Sequence, residues 1–342
     1  MRQIRVLVVE DSLVFRELLV QALGADPAIT VVASAGNVYE ARDAIIEYRP
    51  DVMTLDIELP GMNGIEFLQK LMPQYPLPVV VISSLSDKVF DALNAGAVDF
   101  VAKPANATRA QLENFVKKEL PVKVKIASVA KVSGWKKKQP PVLTEQVSKD
   151  VGERIIAIGA STGGTEATAA LLSGFGPDIP GVVITQHMPA GFTEMYANRL
   201  NNMCRVRVKE AKSGDMVLPG QVLIAPGGDA HMQVVQMNGG YQVVIRTGAK
   251  VNGHRPSVDV LFESVARVAG KNAIGIILTG MGGDGAKGLF SMRRAGARTI
   301  GQDESTCVVY GMPKVAYELG AVEYQEKLQD IAKRTYSILN TK

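Results

Sequence analysis

The sequence predicts two consecutive α/β domains, each wound around a parallel sheet. Three observations carry this. The chain has 342 residues, against roughly 100–200 for one domain. Short β-branched apolar runs alternate with segments whose apolar residues recur at i, i+3 and i+4. A basic, proline-containing stretch without periodicity separates two such blocks.

In the first block the apolar runs predict strands at Ile4–Val9, Val31–Ser34, Val52–Leu55, Val79–Ile82 and Asp99–Val101. Helical spacing falls between and after them, at Val14–Leu23, Tyr39–Tyr48, Gly64–Met72, Lys88–Ala95 and Arg109–Lys118. Continuous apolar strands are what a sheet covered on both faces requires, so the expected architecture is a doubly wound (βα)5 domain. Periodicity fades from Val122 to Val151, where Lys136-Lys-Lys-Gln-Pro-Pro141 resists both helix and ladder pairing. The expected division is therefore 1–121, a linker over 122–151, and a second domain over 152–342.

The second block opens with a strand at Arg154–Ile158, then Gly-Ala-Ser-Thr-Gly-Gly and a helical run from Glu166 to Leu172. Further strands are expected at Val182–Thr185, Val222–Ile224 and Ile274–Leu278, with helices beginning near Pro256 and spanning Ala286–Arg294. A hairpin of Met232–Gln236 and Tyr241–Ile245 is joined by Met-Asn-Gly-Gly, a strong turn signal. The prediction is a mostly parallel sheet with one hairpin.

Composition narrows the function classes. With 46% hydrophobic and 21% charged residues, and no apolar run near the ~18 residues of a membrane helix, membrane insertion is not expected. The apolar stretch Val6–Val9 is too short for a signal peptide, which points to the cytoplasm. Cys204 and Cys307 are far apart and lack neighbouring metal-type ligands, so neither a disulfide framework nor a cysteine zinc site is expected. The net charge of +4 divides into −6 over residues 1–116, +7 over 117–138 and +3 over 139–342. Basicity thus belongs to one short segment and does not argue for nucleic acid. That segment reads as a solvated linker or as a contact with an acidic surface, the first block included.

Ligands of parallel sheets bind beyond the carboxyl ends of the strands. In the first block those positions hold Glu10-Asp11, Asp56, Ser83 and Lys103-Pro104. Three acids gathered there repel one another and invite a hard divalent cation such as Mg²⁺, with coordination positions left for a phosphate oxygen.

Through Val8-Val9-Glu10-Asp11-Ser12, Asp56-Ile-Glu-Leu-Pro60-Gly61, Ile82-Ser83-Ser84 and Lys103-Pro104, residues 1–120 resemble the receiver domain of two-component response regulators. The resemblance implies that Asp56 accepts a phosphoryl group from a histidine kinase. It also implies that Glu10, Asp11, Asp56 and the carbonyl of Glu58 hold Mg²⁺, that Ser83 and Lys103 contact the phosphoryl group, and that Phe100 repacks with Ser83. Glu10 stands where many receivers have aspartate.

In the second block, Ser161 lies on the Gly-rich turn between a strand and a helix, where it could act as a nucleophile or the turn could cradle a phosphate. A base would decide. His187 follows the strand Val182–Thr185 and shares the rim with Ser161, whereas His231 and His254 suit surface or capping roles better. Asp284, between the strand Ile274–Leu278 and the helix from Ala286, is placed to orient the base. The chain order Ser, His, Asp departs from the Ser, acid, His order of α/β-hydrolases.

Through Ile158-Gly-Ala-Ser-Thr-Gly-Gly-Thr-Glu166, Gln186-His-Met-Pro189, Leu223-Ile-Ala-Pro-Gly227, Gly253-His-Arg-Pro-Ser257-Val-Asp259 and Ile277-Leu-Thr-Gly-Met281-Gly-Gly-Asp284-Gly285, residues 152–342 resemble the CheB family of chemotaxis protein-glutamate methylesterases. The resemblance implies that Ser161 attacks glutamyl methyl esters of chemoreceptors, with His187 as base, Asp284 orienting it, and the backbone N–H groups of Thr162 and Met281 as oxyanion donors. Methanol is released, no cofactor serves the hydrolysis, and many relatives also deamidate receptor glutamines. It further implies that the unphosphorylated receiver covers the esterase cleft. Two other classes compete. A ligand-binding effector would make His187 and Asp284 dispensable, and a DNA-binding regulator would need a basic recognition helix that the second block lacks.

Overall fold

The computed structural model describes residues 2–84, 87–103, 109–132, 153–237 and 239–341. Pro104 and the linker from residue 133 lie outside them. The chain forms two compact units that divide at Lys137.

The first unit runs β1 (Ile4–Val9), α1 (Leu13–Gly24), β2 (Ile29–Ala35), α2 (Val38–Tyr48), β3 (Val52–Asp56), α3 (Gly64–Leu71), β4 (Val79–Ser83), α4 (Lys88–Asn94), β5 (Asp99–Ala102) and α5 (Arg109–Ala127). All five strands pair in parallel in the order β2-β1-β3-β4-β5. The order reverses beside β1, which opens the crevice where doubly wound sheets bind ligands. Polar caps start the helices: Ser12 accepts from the Phe15 N–H, Asn37 from Tyr39 and Glu40, and Asn63 from Glu66.

The structure corrects the linker boundary. Helix α5 continues through Pro121 to Ala127, and Val116, Leu120, Val124 and Ala127 are all buried. Their spacing keeps one apolar stripe on the domain. Part of the basic segment also pairs with the acidic first block, since Lys123 Nζ lies 2.7 Å from Asp99 and Lys125 Nζ 2.7 Å from Asp26.

The second unit runs β6 (Ile155–Ala160), α6 (Gly164–Ser173), β7 (Gly181–Gln186), α7 (Phe192–Met203), β8 (Arg207–Glu210), β9 (Gln221–Ile224), β10 (Ala230–Met237) and β11 (Gly240–Thr247). It continues with α8 (Val258–Ala269), β12 (Ala273–Ile277), α9 (Ala286–Arg294), β13 (Arg298–Gln302), α10 (Met312–Glu318), β14 (Tyr324–Glu326) and α11 (Leu328–Asn340). Seven strands form a wholly parallel sheet in the order β14-β13-β12-β6-β7-β9-β8, and β10-β11 is a separate antiparallel hairpin.

Strands β8, β13 and β14 escape the sequence reading because their runs are short and interrupted by polar residues. β8 and β14 are the two edges of the sheet. The hairpin packs on α8: Met232, Val234, Tyr241 and Val243 share a buried cluster with Val258, Leu261, Phe262 and Val265. That packing holds the N-terminus of α8 against the sheet, and a Cβ at Gly159 in β6 would collide with the Val258 side chain. No helix among the described residues is long and apolar enough to cross a membrane.

Candidate active site

In the first unit, Glu10, Asp11 and Asp56 bring one carboxylate oxygen each within 4.8 Å of one another. Glu10 and Asp56 are buried and Asp11 is exposed. Lys103 Nζ bridges the two buried acids, 2.6 Å from Asp56 and 3.1 Å from Glu10. Burial, with the Asp56 charge beside it, pushes the Glu10 carboxyl up to about 7 despite the lysine. Burial works against the Lys103 charge, but Asp56 and then Glu10 hold the ammonium above the ordinary lysine value.

Ser83 and Phe100 are buried. The β3–β4 register pairs Asp56 with Ile82, so Ser83 lies one residue beyond that pair, and Phe100 on β5 pairs with Val81 on β4. Glu58 adds no carboxylate to the cluster. Its N–H donates to Asp56 Oδ1 at 3.2 Å, and its side chain lies 4.0 Å from Lys88. Crowded hard oxygen donors around an acid driven toward protonation fit a divalent cation, which would relieve the repulsion.

In the second unit, three adjacent parallel strands deliver the predicted residues. Ala160 at the end of β6 pairs with Gln186 at the end of β7, so Ser161 and His187 each follow a paired position. On the other side β12 pairs Ile277 with Gly159 and leads into the loop that carries Asp284. The Ser161 N–H donates to the Thr279 carbonyl at 3.0 Å. Gly280 packs so closely that a Cβ there would stand 2.7 Å from that of Ser161. The Gln186 side chain ties the Ser161 and His187 carbonyls together, donating at 2.9 and 3.3 Å.

His187 Nε2 lies 2.8 Å from Asp284 Oδ2. An ionised carboxylate can only accept, so Nε2 is the donor in this bond, and in the neutral imidazole Nδ1 keeps its lone pair. This reverses the commoner serine-protease arrangement, in which Nδ1 faces the acid. Nδ1 is buried with no hydrogen-bond partner, and catalytic hydrogen bonds often tighten only when substrate binds.

Asp284 is almost wholly enclosed, at 1% exposure. Its Oδ2 also accepts from the Val258 N–H at 2.7 Å, and its Oδ1 accepts from Asn252 at 2.8 Å, the Ser257 hydroxyl at 2.8 Å and the Asp259 N–H at 3.3 Å. Ser257 caps α8, so the carboxylate sits on a helix N-terminus, where partial positive charge gathers. Burial alone would raise its pKa. His187 first, then Asn252 and Val258, outweigh it and hold the carboxyl far below the usual carboxylate range.

The expected oxyanion donors flank this site. Thr162 is buried and its carbonyl accepts from Thr279 Oγ1 at 3.1 Å. Met281 stands at the rim, 40% exposed. The backbone before it is pinned, since the Gly280 carbonyl takes the N–H groups of Gly311 and Met312.

Of the two other histidines, His231 serves a helix cap, one of the roles expected of it, and His254 departs from expectation. His231 is a buried residue of β10, and its Nδ1 accepts from the Ser257 N–H at 3.1 Å while Nε2 bonds the Ala249 carbonyl at 2.9 Å. It is a strut under the α8 cap and not a surface group. His254 stacks face to face on His187, with ring centroids 3.7 Å apart and planes 8° from parallel. Asn252, Ser257 and His254 were beyond sequence reasoning as site residues, although a serine before a helical pattern does signal a cap.

The fold and these two sites define the class: a parallel-sheet α/β domain with a buried His187–Asp284 pair beside Ser161, preceded by a doubly wound domain with an acidic pocket. Residues 156–335 match the family model of the CheB methylesterase, and residues 6–116 that of the response regulator receiver domain. The chain is 59% identical over 340 residues to protein-glutamate methylesterase/protein-glutamine glutaminase 2 of Syntrophomonas wolfei, covering 99% of each chain. It is 51% identical to the protein of the corresponding name from Syntrophotalea carbinolica, covering 99% of this chain and 98% of that one. Among solved structures it resembles the CheB methylesterase catalytic domain of Thermotoga maritima, with TM-score 0.53 and 37% identity over 55% of this chain and 99% of that one. The chain belongs to the CheB methylesterase family, carboxylic ester hydrolases, and carries a response regulator receiver domain. That membership sets aside the DNA-binding and ligand-binding alternatives.

Proposed function

We propose that this chain is a cytoplasmic protein-glutamate methylesterase that demethylates chemoreceptors once a histidine kinase has phosphorylated Asp56, and that the same site deamidates receptor glutamines. The proposed units are a receiver up to the end of α5, a linker outside the described residues, and the esterase from about residue 152.

The observation that carries the reaction is the polarised His187–Asp284 pair, with Nε2 held by a strongly acidic carboxylate and Nδ1 unpartnered. In the proposed sequence Nδ1 takes the Ser161 hydroxyl proton as Oγ attacks the glutamyl ester carbonyl. Asp284 stabilises the imidazolium. The Thr162 and Met281 N–H groups receive the oxyanion, with ~3–4 kcal/mol for each such donor. The proton then passes from Nδ1 to the methoxy oxygen and methanol leaves. Water, deprotonated by the same nitrogen, cleaves the acyl-serine and restores the glutamate. An amide substrate follows the same path with ammonia as the leaving group.

In the receiver, Glu10, Asp11, Asp56 and the Glu58 carbonyl would hold Mg²⁺, which offsets the charge of the incoming phosphoryl group. Lys103 and Ser83 contact the phosphorylated Asp56, and Phe100 follows Ser83. A phosphoryl group adds charge and acceptor oxygens that bias a two-state surface.

Methanol release from methylated receptor membranes tests the assignment, using wild type, Ser161→Ala and Asp56→Ala with and without a small phosphodonor and Mg²⁺. The expected result is release stimulated by the donor, absent in Ser161→Ala and unstimulated in Asp56→Ala. No release from wild type with a phosphorylated receiver would overturn it.

A further inference from the structure

One turn touches both members of the acid–base pair. Residues 251–254 are closed by reciprocal bonds, the Val251 N–H to the His254 carbonyl at 3.0 Å and the His254 N–H to the Val251 carbonyl at 2.9 Å. At the tip, Asn252 adopts a left-handed backbone (φ 53°), which asparagine takes up more readily than most non-glycine residues. This conformation accompanies a double contact. Asn252 Nδ2 donates to Asp284 Oδ1 at 2.8 Å and to the buried Asp259 Oδ2 at 2.7 Å. Behind the turn, Arg255 anchors the chain to the carbonyls of Gly228 at 2.9 Å and Gly248 at 2.7 Å.

The same turn lays the His254 ring flat on His187. The bond from Nε2 to Asp284 and the attachment at Cβ leave the His187 ring free to tilt about the line between them. Nδ1 lies off that line, so a tilt displaces the nitrogen that must reach Ser161. A parallel ring 3.7 Å away opposes the tilt on one face.

We propose that His254 is a positioning residue for ester hydrolysis, holding the plane of the His187 imidazole so that Nδ1 can meet the Ser161 hydroxyl when substrate binds. This rests on the assignment of Ser161, His187 and Asp284 as catalytic residues. Misplacement of a reacting group by about an ångström costs on the order of a hundredfold, and a loosened ring should cost part of that.

The test measures methanol release by the full-length protein, with phosphodonor and Mg²⁺, against receptor concentration for wild type, His254→Ala, His254→Gln, His254→Phe and His187→Ala. His254→Ala and His254→Gln should lower kcat by about tenfold with little change in KM. His254→Phe, which restores a flat ring without a titrating nitrogen, should return kcat to near wild type. Wild-type kcat in the alanine and glutamine variants overturns the proposal, as does a rise in KM at unchanged kcat. So does a phenylalanine variant as slow as alanine with the same unfolding midpoint. An active His187→Ala overturns the underlying triad assignment instead, so the two failures are distinguishable.

Discussion

Both units bury an aspartate at the carboxyl-end edge of a parallel sheet, yet the two carboxylates live in opposite surroundings. Asp56 shares its pocket with two other acids and one ammonium, and burial, with the Asp56 charge beside it, drives Glu10 up to about 7. Asp284 shares its pocket with an imidazole, an amide, a hydroxyl and the N-terminus of α8, and its carboxyl is driven down. The first pocket is electrostatically incomplete and suits a site that must receive a cation and a phosphoryl group. The second is complete, which suits a site whose acid must hold one tautomer in place without changing.

The comparison can be broken at its strongest point by Asp284→Asn, which keeps the shape but offers a donor to Nε2. Methanol release should fall about 10⁴-fold, with receiver phosphorylation unaffected. A small loss would mean that the hydrogen-bonded carboxylate is not what holds the base.

Asp56→Asn should abolish stimulation by phosphodonor while leaving basal release. Retained stimulation would place the phosphoacceptor elsewhere in the acidic pocket.

Helix α5 sharpens where the first region ends. Val124 is fully buried, so Val124→Ala should lower receiver stability by roughly 1.5–3 kcal/mol in chemical denaturation. An unchanged midpoint would return this segment to the linker.

The pH dependence of unfolding should differ in sign between the two sites. Glu10 has a raised folded value, so its contribution is present below the unfolded carboxylate range and fades as pH rises through about 7. In metal-free buffer Glu10→Gln should flatten that loss, and Mg²⁺ should offset it in wild type. Asp284 has a lowered folded value, so its contribution is present above the unfolded range near pH ~4 and fades as pH falls further. Asp284→Asn should remove that part of the acid sensitivity. Equal slopes for the two variants would dissolve the contrast.

Much was legible without coordinates. The β1, α9 and hairpin positions follow from apolar runs and turn chemistry, and Ser161, His187 and Asp284 stand out because each follows an apolar strand. Glu10, Asp11, Asp56 and Lys103 stand out for the same reason, and they do converge. Such residues are readable because a parallel sheet sends every strand's carboxyl end to one edge.

Other features depended on contacts between distant segments. The helical pattern reads as ending at Lys118 with periodicity fading from Val122, while burial of Val124 and Ala127 carries α5 onward. β8 and β14 have too little apolar pattern to announce themselves, because edge strands bond to one neighbour only. Local sequence is also silent on which nitrogen of His187 faces Asp284, on the ring of His254 lying against it, and on Asn252 reaching Asp284 from a turn 32 residues away. The sequence by itself determined which chemical groups follow the central strands, since strand position and side-chain type follow from local pattern and a parallel sheet sends every carboxyl end to one edge. Only the tertiary structure decided their protonation and orientation, because these depend on what is packed within a few ångströms.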